Sequence, residues 1–376
     1  MIYLDNAATT FPKPACMSSE IERCIRTYCG NPGRSGHILS MKAAEKIYEC
    51  RQLVANLFNS SKPENVIFTL NTTHALNIAI KTLCKKGAHV LISNMEHNSV
   101  VRPVYSLSNQ NEIYYHTFNV LQPPQEILYE LESKRRSNTE MLIMTHASNI
   151  CGMLFPIREI GEFCHRNNII FIVDAAQSAG IADINIKQDH IDALCLPAHK
   201  GLYGPQGLGI VIFGDKTPTR TLMEGGNGTN SLSPDMGIEL PESFEAGTLP
   251  TPLIAGLAAS IKWLNSIGVK NINHHEKKLA AKLSEMLLSL PCSVIYGMKQ
   301  PQTGIVLYNN KNVKLNAISD TLNKMNICTR SGFHCAPLAH KSLGTNSDGA
   351  LRISFSFFNT NKDVDKLYTA IKRAVI

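Results

Sequence analysis

A chain of 376 residues, 44% hydrophobic and 18% charged, has the make-up of a soluble globular protein with room for two domains and a sizeable core. Its 37 basic and 30 acidic residues leave a net charge of only +7, and the densest basic cluster, Lys134-Arg135-Arg136, reads as a solvated helix end, so no nucleic-acid surface is expected. No apolar run approaches the roughly 18 residues of a membrane span, and eleven cysteines without a CxxC pair point to reduced thiols rather than a disulfide framework or a metal site; with a start, MIYLDNAATT, that lacks a basic-then-apolar leader, the expected location is the cytoplasm.

Residues 2–4 read as a short strand, followed by an extended loop and a helix from about Pro14 to Tyr28. A Gly/Pro-rich loop carrying Asn31, Arg34 and His37 leads to Ser40, the expected N-cap of a helix over 41–57 with Ala43, Ala44, Ile47, Leu53 and Val54 as its apolar stripe. A strand at 66–69 runs through Asn71-Thr72-Thr73 into a helix over 75–83. That succession offers free backbone N–H groups and two hydroxyls at a helix N-terminus, which serves as an ordinary cap and as a phosphate cradle. A strand at 90–93 ends at Glu96-His97; a small excursion over 100–120 with a strand at 112–118 follows, and Pro123-Pro124 opens a helix to about 136. A strand at 140–144 ends at His146 and Asn149, a helix covers 156–167, and a strand at 169–173 ends at Asp174 and Gln177. Buried strands alternating with helices, each strand ending in polar residues, predict a parallel α/β sheet with its site along one rim.

An acid at the end of a buried strand has no packing purpose, and leaving it unpaired costs several kcal/mol, roughly. Asp174 therefore asks for a buried cation. The next apolar segment, 191–196, ends at His199-Lys200. A protonated pyridine ring is a suitable cation, and Lys200 is able to hold such a ring as a Schiff base. A strand at 208–213 precedes a Gly/Asn/Ser/Pro-rich loop without periodicity that closes at Gly247-Thr248. Helices at 253–267 and 274–290, a strand at 303–308, a helix over 313–324, the segment Cys328 to Cys335, a strand at 351–356 and a helix over 363–373 make a second, α+β unit. The expected domains are residues 15–252 and 253–376.

The ordered set Tyr3 to Thr10, Asn71-Thr72-Thr73, Glu96-His97, Asn149, Asp174 with Gln177, His199-Lys200, Glu245 to Thr248, Arg330 to Cys335, and Arg352 with Asn359-Thr360 resembles the cysteine desulfurases that depend on pyridoxal 5'-phosphate, in the class V aminotransferase superfamily. The resemblance spans nearly the whole chain. It implies fold type I: a large, mostly parallel sheet flanked by helices, with a smaller α+β domain on which residues 1–14 pack. Lys200 resembles the cofactor-binding lysine that also moves protons at the substrate α-carbon, Asp174 the partner of the pyridinium nitrogen, and His97 an imidazole over the ring that serves as acid or base. Asn149 and Gln177 resemble groups near the ring oxygen, and Thr72, Thr73 and His199 groups near the phosphate. Thr248 resembles the threonine delivered to that phosphate by a second subunit, which implies a homodimer. Arg352 resembles the arginine that binds the α-carboxylate of L-cysteine, a task suited to a planar fork. Asn31, His37 and Arg330 fall on the substrate side.

Cys335 resembles the nucleophile that takes sulfur from L-cysteine, becomes a persulfide and passes the sulfur to an acceptor. A thiolate is needed, so a cation or base should stand beside it, with Arg330 and His334 the sequence neighbours. The compact SGFHCAPLAHK stretch resembles the short-loop group that includes selenocysteine lyase-like members. The alternative activities on this scaffold are a selenocysteine or cysteine-sulfinate lyase and, further off, an aminotransferase. Pro197 departs from the pattern: many relatives carry Ser or Thr three residues before the lysine, and proline has neither hydroxyl nor N–H. The grip on phosphate then rests more on Thr72, Thr73, His199 and Thr248.

Overall fold

The computed structural model describes residues 1–33, 36–228, 232–298, 300–345 and 347–376. β1 (Ile2–Tyr3) is followed by α1 (Ala15–Thr27) and α2 (Ile38–Leu57). The cap of α2 differs from expectation. His37 is the N-cap, its Nδ1 accepting from the Ser40 amide at 3.3 Å, while the Ser40 hydroxyl donates to the Asn31 carbonyl at 2.7 Å. Arg34 lies outside the described residues.

β2 (Val66–Thr69), α3 (Thr72–Leu83), β3 (Ala88–Ser93), α4 (Asn98–Asn109), β4 (Ile113–Phe118), α5 (Pro124–Lys134), β5 (Thr139–Thr145), α6 (Ile157–Arg166), β6 (Ile170–Asp174), β7 (Ala193–Pro197) and β8 (Gly209–Phe213) follow in order. The sequence predicts a small excursion over residues 100–120 with a strand at its end, and the structure makes its first part the helix α4. Pro103 removes one helical donor there, but Val100, Val104 and Leu107 recur on one face and are buried. At about 1.5–3 kcal/mol for each large apolar side chain, that burial outweighs the proline.

The seven strands lie in the order β2-β8-β7-β6-β5-β3-β4. β7, β6, β5, β3 and β4 pair in parallel, whereas β8 runs antiparallel to both β7 and β2. The sheet is thus mostly, not wholly, parallel. No helix separates β7 from β8, and a parallel return needs a crossover. Both faces are buried: Leu91 packs with α2, α5 and α6 residues such as Val54, Leu131 and Ile160, while Val90 and Ile92 pack with Leu76, Ile80 and Val104 of α3 and α4.

α7 (Thr251–Ile267) packs on α1 and α2 and turns at Gly268 into α8 (Val269–Leu288). Then come β9 (Ser293–Tyr296), β10 (Ile305–Asn310), α9 (Leu315–Lys324), β11 (Ile327–Cys328), β12 (Arg330–Gly332), α10 (Pro337–Ser342), β13 (Ala350–Ser354) and α11 (Asn361–Val375). Four of these strands form an antiparallel sheet, β12-β13-β10-β9, over a core that includes Leu279, Leu283, Tyr308, Ile353 and Leu367. β1 pairs in parallel with β11, and the Ser354 amide donates to the Leu4 carbonyl at 2.8 Å. The first ten residues therefore attach to the second sheet, then cross to the first, where the Thr10 amide donates to the His199 carbonyl at 3.1 Å. Among the described residues no single helix is long and apolar enough to cross a membrane.

Candidate active site

The carboxyl ends of β2, β3, β5, β6 and β7 share one rim. A cavity of about 190 Å³ there is lined by Thr72, Thr73, His97, Asn149, Asp174, Gln177, His199 and Lys200. Every residue expected to hold the cofactor is among them except Thr248. Asn71 caps α3 by accepting from the His74 amide at 2.9 Å, so Thr72 and Thr73 supply the first-turn N–H groups, which have no helical carbonyl to reach. β8 must pass close beneath this turn: a Cβ on Gly209 would collide with the Asn71 backbone.

Asp174 closes β6, is 3% exposed, and accepts from the Ala176 amide at 2.9 Å. Burial pushes its carboxyl up, against the pull of that amide and of the Lys200 charge. Burial, then the charge of Arg352, pushes the half-buried Lys200 amine down to about 8, with Asp174 acting in the opposite sense. A second carboxyl, Glu96, lies fully buried behind His97, accepting from the Thr145 amide at 2.7 Å and from the Ser93 hydroxyl. Burial raises it to about 8, and its repulsion from Asp174 adds to the shift. Burial thus favours the neutral acid at Glu96, while the Lys200 charge and the Ala176 amide favour the ionised form of Asp174.

His97 is the N-cap of α4. Its Nδ1 accepts from the Ser99 amide at 3.0 Å, which leaves the ring hydrogen on Nε2. Burial, then Lys200 and Arg330, hold the imidazole down at about 4, so the ring is neutral. The Ser99 hydroxyl lies 2.9 Å from this ring and 2.8 Å from the Thr73 hydroxyl. Ser99 thereby joins the cradle to the imidazole, a connection with no signal in the sequence beyond its place two residues after His97. Gln177 donates to the Ala7 carbonyl at 2.9 Å, and His199 presents a buried Nδ1 without a partner. Pro197 ends β7 and does not line the cavity.

The second sheet brings two guanidinium groups to the same place. In the register of β12 and β13, Arg330 lies directly opposite Arg352, a like-charge pair that is unfavourable unless an anion lies between. Arg352, 2% exposed, donates to Asp5 Oδ1 at 2.8 Å and to the Asn149 carbonyl at 2.9 Å, and its Nε is buried without a partner. Arg330 points instead at the nucleophile candidate, its NH2 lying 3.9 Å from Cys335 Sγ. Cys335 is exposed and does not line the cavity itself, but its loop is tied to residues that flank it. Its carbonyl accepts from the Asn98 amide at 2.8 Å, and the preceding His334 carbonyl accepts from Asn149 Nδ2 at 2.9 Å. His334 and Cys335 both adopt left-handed backbone, φ 50° and 56°, at about 1–2 kcal/mol each. His334 turns away from the sulfur, so of the two neighbours only Arg330 faces it.

Thr248 is exposed and away from the cavity, as are Asn31 and His37. Within one chain these three do not join the site. A larger cavity of about 570 Å³ opens at the opposite rim, beside His165 and His190, and holds none of the candidate residues. Among the described residues no cluster of three or more His, Cys, Asp or Glu could hold a metal ion. The main cavity does fit pyridoxal 5'-phosphate: free amides and hydroxyls at α3 and the unpartnered His199 Nδ1 suit a phosphate, buried Asp174 suits a ring cation, and Lys200 offers an amine that is partly neutral near physiological pH.

Comparisons with known proteins agree. The aminotransferase class-V family model matches residues 2–367. A probable cysteine desulfurase of Methanothermobacter thermautotrophicus is 32% identical over 97% of this chain and 92% of its own, and one of Pyrococcus abyssi is 31% identical over 100% and 94%. The apo structure of a cysteine desulfurase from Thermococcus onnurineus NA1 superposes with a TM-score of 0.90 at 30% identity, covering 100% of this chain and 94% of that one.

Proposed function

The chain belongs to the class-V aminotransferase family, and from that premise we propose that it is a cysteine desulfurase, converting L-cysteine to L-alanine with the sulfur taken up by Cys335. The observation that carries this is one cavity lined by both Lys200 and Asp174, with Arg352 and the Cys335 loop attached to its wall at Asn149 and Arg330 beside the sulfur. Bound pyridoxal 5'-phosphate supplies an electron sink to the substrate α-carbon. Thr72, Thr73 and His199 would hold its phosphate, Asp174 would pair with its ring nitrogen, and the neutral imidazole of His97 would be available to it as acid or base.

Arg352 receives the substrate carboxylate, and Arg330, beside the sulfur, orients the substrate side chain toward Cys335. The amine of Lys200 moves the proton at the α-carbon. The Cys335 thiolate attacks the substrate sulfur: an S–S bond forms, the C–S bond breaks, and its electron pair goes to the β-carbon, which takes up a proton. The products are a Cys335 persulfide and alanine, so no external oxidant or reductant enters this half-reaction. Only four residues separate β12 from α10, so Cys335 has little reach, and an acceptor must come to this loop to collect the sulfur. The enzyme acts as a homodimer in the cytoplasm, a compartment suited to eleven cysteines that are all free.

Mass spectrometry of the cofactor-loaded protein after L-cysteine tests this reading. A gain of one sulfur atom on Cys335, abolished together with alanine formation in Cys335→Ala, is the expected result. Alanine release that survives Cys335→Ala would move the assignment to a selenocysteine or cysteine-sulfinate lyase.

A further inference from the structure

We propose that His340 is a positioning residue for Cys335, acting through the ring of His334 to hold the sulfur over the cavity. The proposal rests on the desulfurase reading, and its argument begins with a carbonyl. His334 Nε2 lies 3.1 Å from the Arg330 carbonyl, which can only accept, so this nitrogen carries a hydrogen. Burial, then Arg352, push the imidazole down to about 3, so His334 is neutral and its Nδ1 is bare. His340 Nε2, 3.2 Å from that Nδ1, must then be the donor. Its own Nδ1 is left to accept from the Thr345 hydroxyl at 2.7 Å, a closer partner for that hydrogen than the His340 carbonyl at 3.3 Å.

The direction of every bond follows: Thr345 to His340, His340 to His334, His334 to the Arg330 backbone. The chain is enclosed, with His340 0%, Thr345 3% and His334 4% exposed. It runs beneath the two residues whose backbone is left-handed, and joins α10 to β12 across the nucleophile loop. Neither His340 nor Thr345 lines the cavity or approaches the sulfur. Their effect on the reaction is confined to where the His334 ring, and with it the Cys335 backbone, is placed.

The test compares the full-length parent with His340→Ala, His340→Gln and His340→Asn. The amide of glutamine offers a donor where Nε2 stands; that of asparagine falls short. A displaced nucleophile slows the reaction by about tenfold to a hundredfold, so sulfur transfer to Cys335 in a single turnover should drop by this factor in the Ala and Asn variants and recover in Gln. Cofactor absorbance and the spectral response to L-cysteine should stay at parental values. In cofactor-free protein, the rate of Cys335 alkylation by iodoacetamide should depart from the parent in Ala and return in Gln. Thr345→Val, which removes the outer donor, should slow sulfur transfer in the same direction and serves if His340→Ala does not fold. Parental sulfur transfer in His340→Ala, or equal losses in the Ala and Gln variants, would overturn the proposal. A parent that never adds sulfur to Cys335 would instead defeat the desulfurase reading.

Discussion

Lys200 shows how one residue's surroundings dictate its chemistry. An amine brought down to about 8 by burial and by Arg352 is half neutral at that pH and about 1% neutral two units lower. Only the neutral amine condenses with an aldehyde. The cofactor-free protein should therefore take up pyridoxal phosphate faster as pH rises from 6 to 8, approaching tenfold per unit, and level off above about 8.5, as followed by absorbance. A flat profile across that range would contradict the assigned environment. The placement of Lys200 and Asp174 on one rim was legible because an acid at a buried strand end has few reasons to exist. The Arg330–Arg352 pairing was not, since it comes from the register of two strands distant in sequence.

The elements that set the site are held by contacts far from it. Arg51 of α2 donates to Glu245 and to the Val66 carbonyl, and Glu245 accepts from the Phe68 amide at 2.6 Å. This enclosed pair ties the exit of the long loop, and so the approach to Thr248, against β2. Removing one partner of a buried pair leaves a bare charge, so Glu245→Ala should lose about 3–5 kcal/mol of stability in urea unfolding. Converting both residues to apolar ones should recover much of that, and a single-variant loss near zero would show the pair to be solvated. The N-terminal segment is a second such tie: Asp5 meets Arg352, while Lys13 Nζ donates to the His199 carbonyl at 2.7 Å.

At the scale of the whole molecule, three expected contributors, Thr248, Asn31 and His37, stand exposed outside the cavity of their own chain. Ile25, Ile38, Leu39 and Met41 on α1 and α2 are also exposed, an unusual density of apolar side chains on adjoining helices. We propose that a second copy covers them and that Thr248 completes the neighbouring site. Sedimentation should give twice the 41.4 kDa chain mass. Thr248→Ala should weaken cofactor binding, and hybrids with Lys200→Ala should restore parental affinity at the sites that keep Lys200. A monomeric mass, or hybrids no tighter than the Thr248→Ala homodimer, would overturn the arrangement.

The order of buried strands and polar strand ends, the capped turn at Thr72-Thr73, and the presence of a buried acid and a lysine on one rim all follow from local composition and period, which is why most of the large sheet and its rim could be read along the chain. Local signals failed where a distant partner decided the outcome. Helix α4 forms despite Pro103 because its apolar face meets α3 and the sheet; β8 reverses because no helix precedes it; and His37 displaces Ser40 as a cap because Asn31 takes the serine hydroxyl. Which group faces the Cys335 sulfur, and which faces away, was settled only by folding: strand register, burial and hydrogen-bond direction are properties of segments brought together, and no single segment carries them.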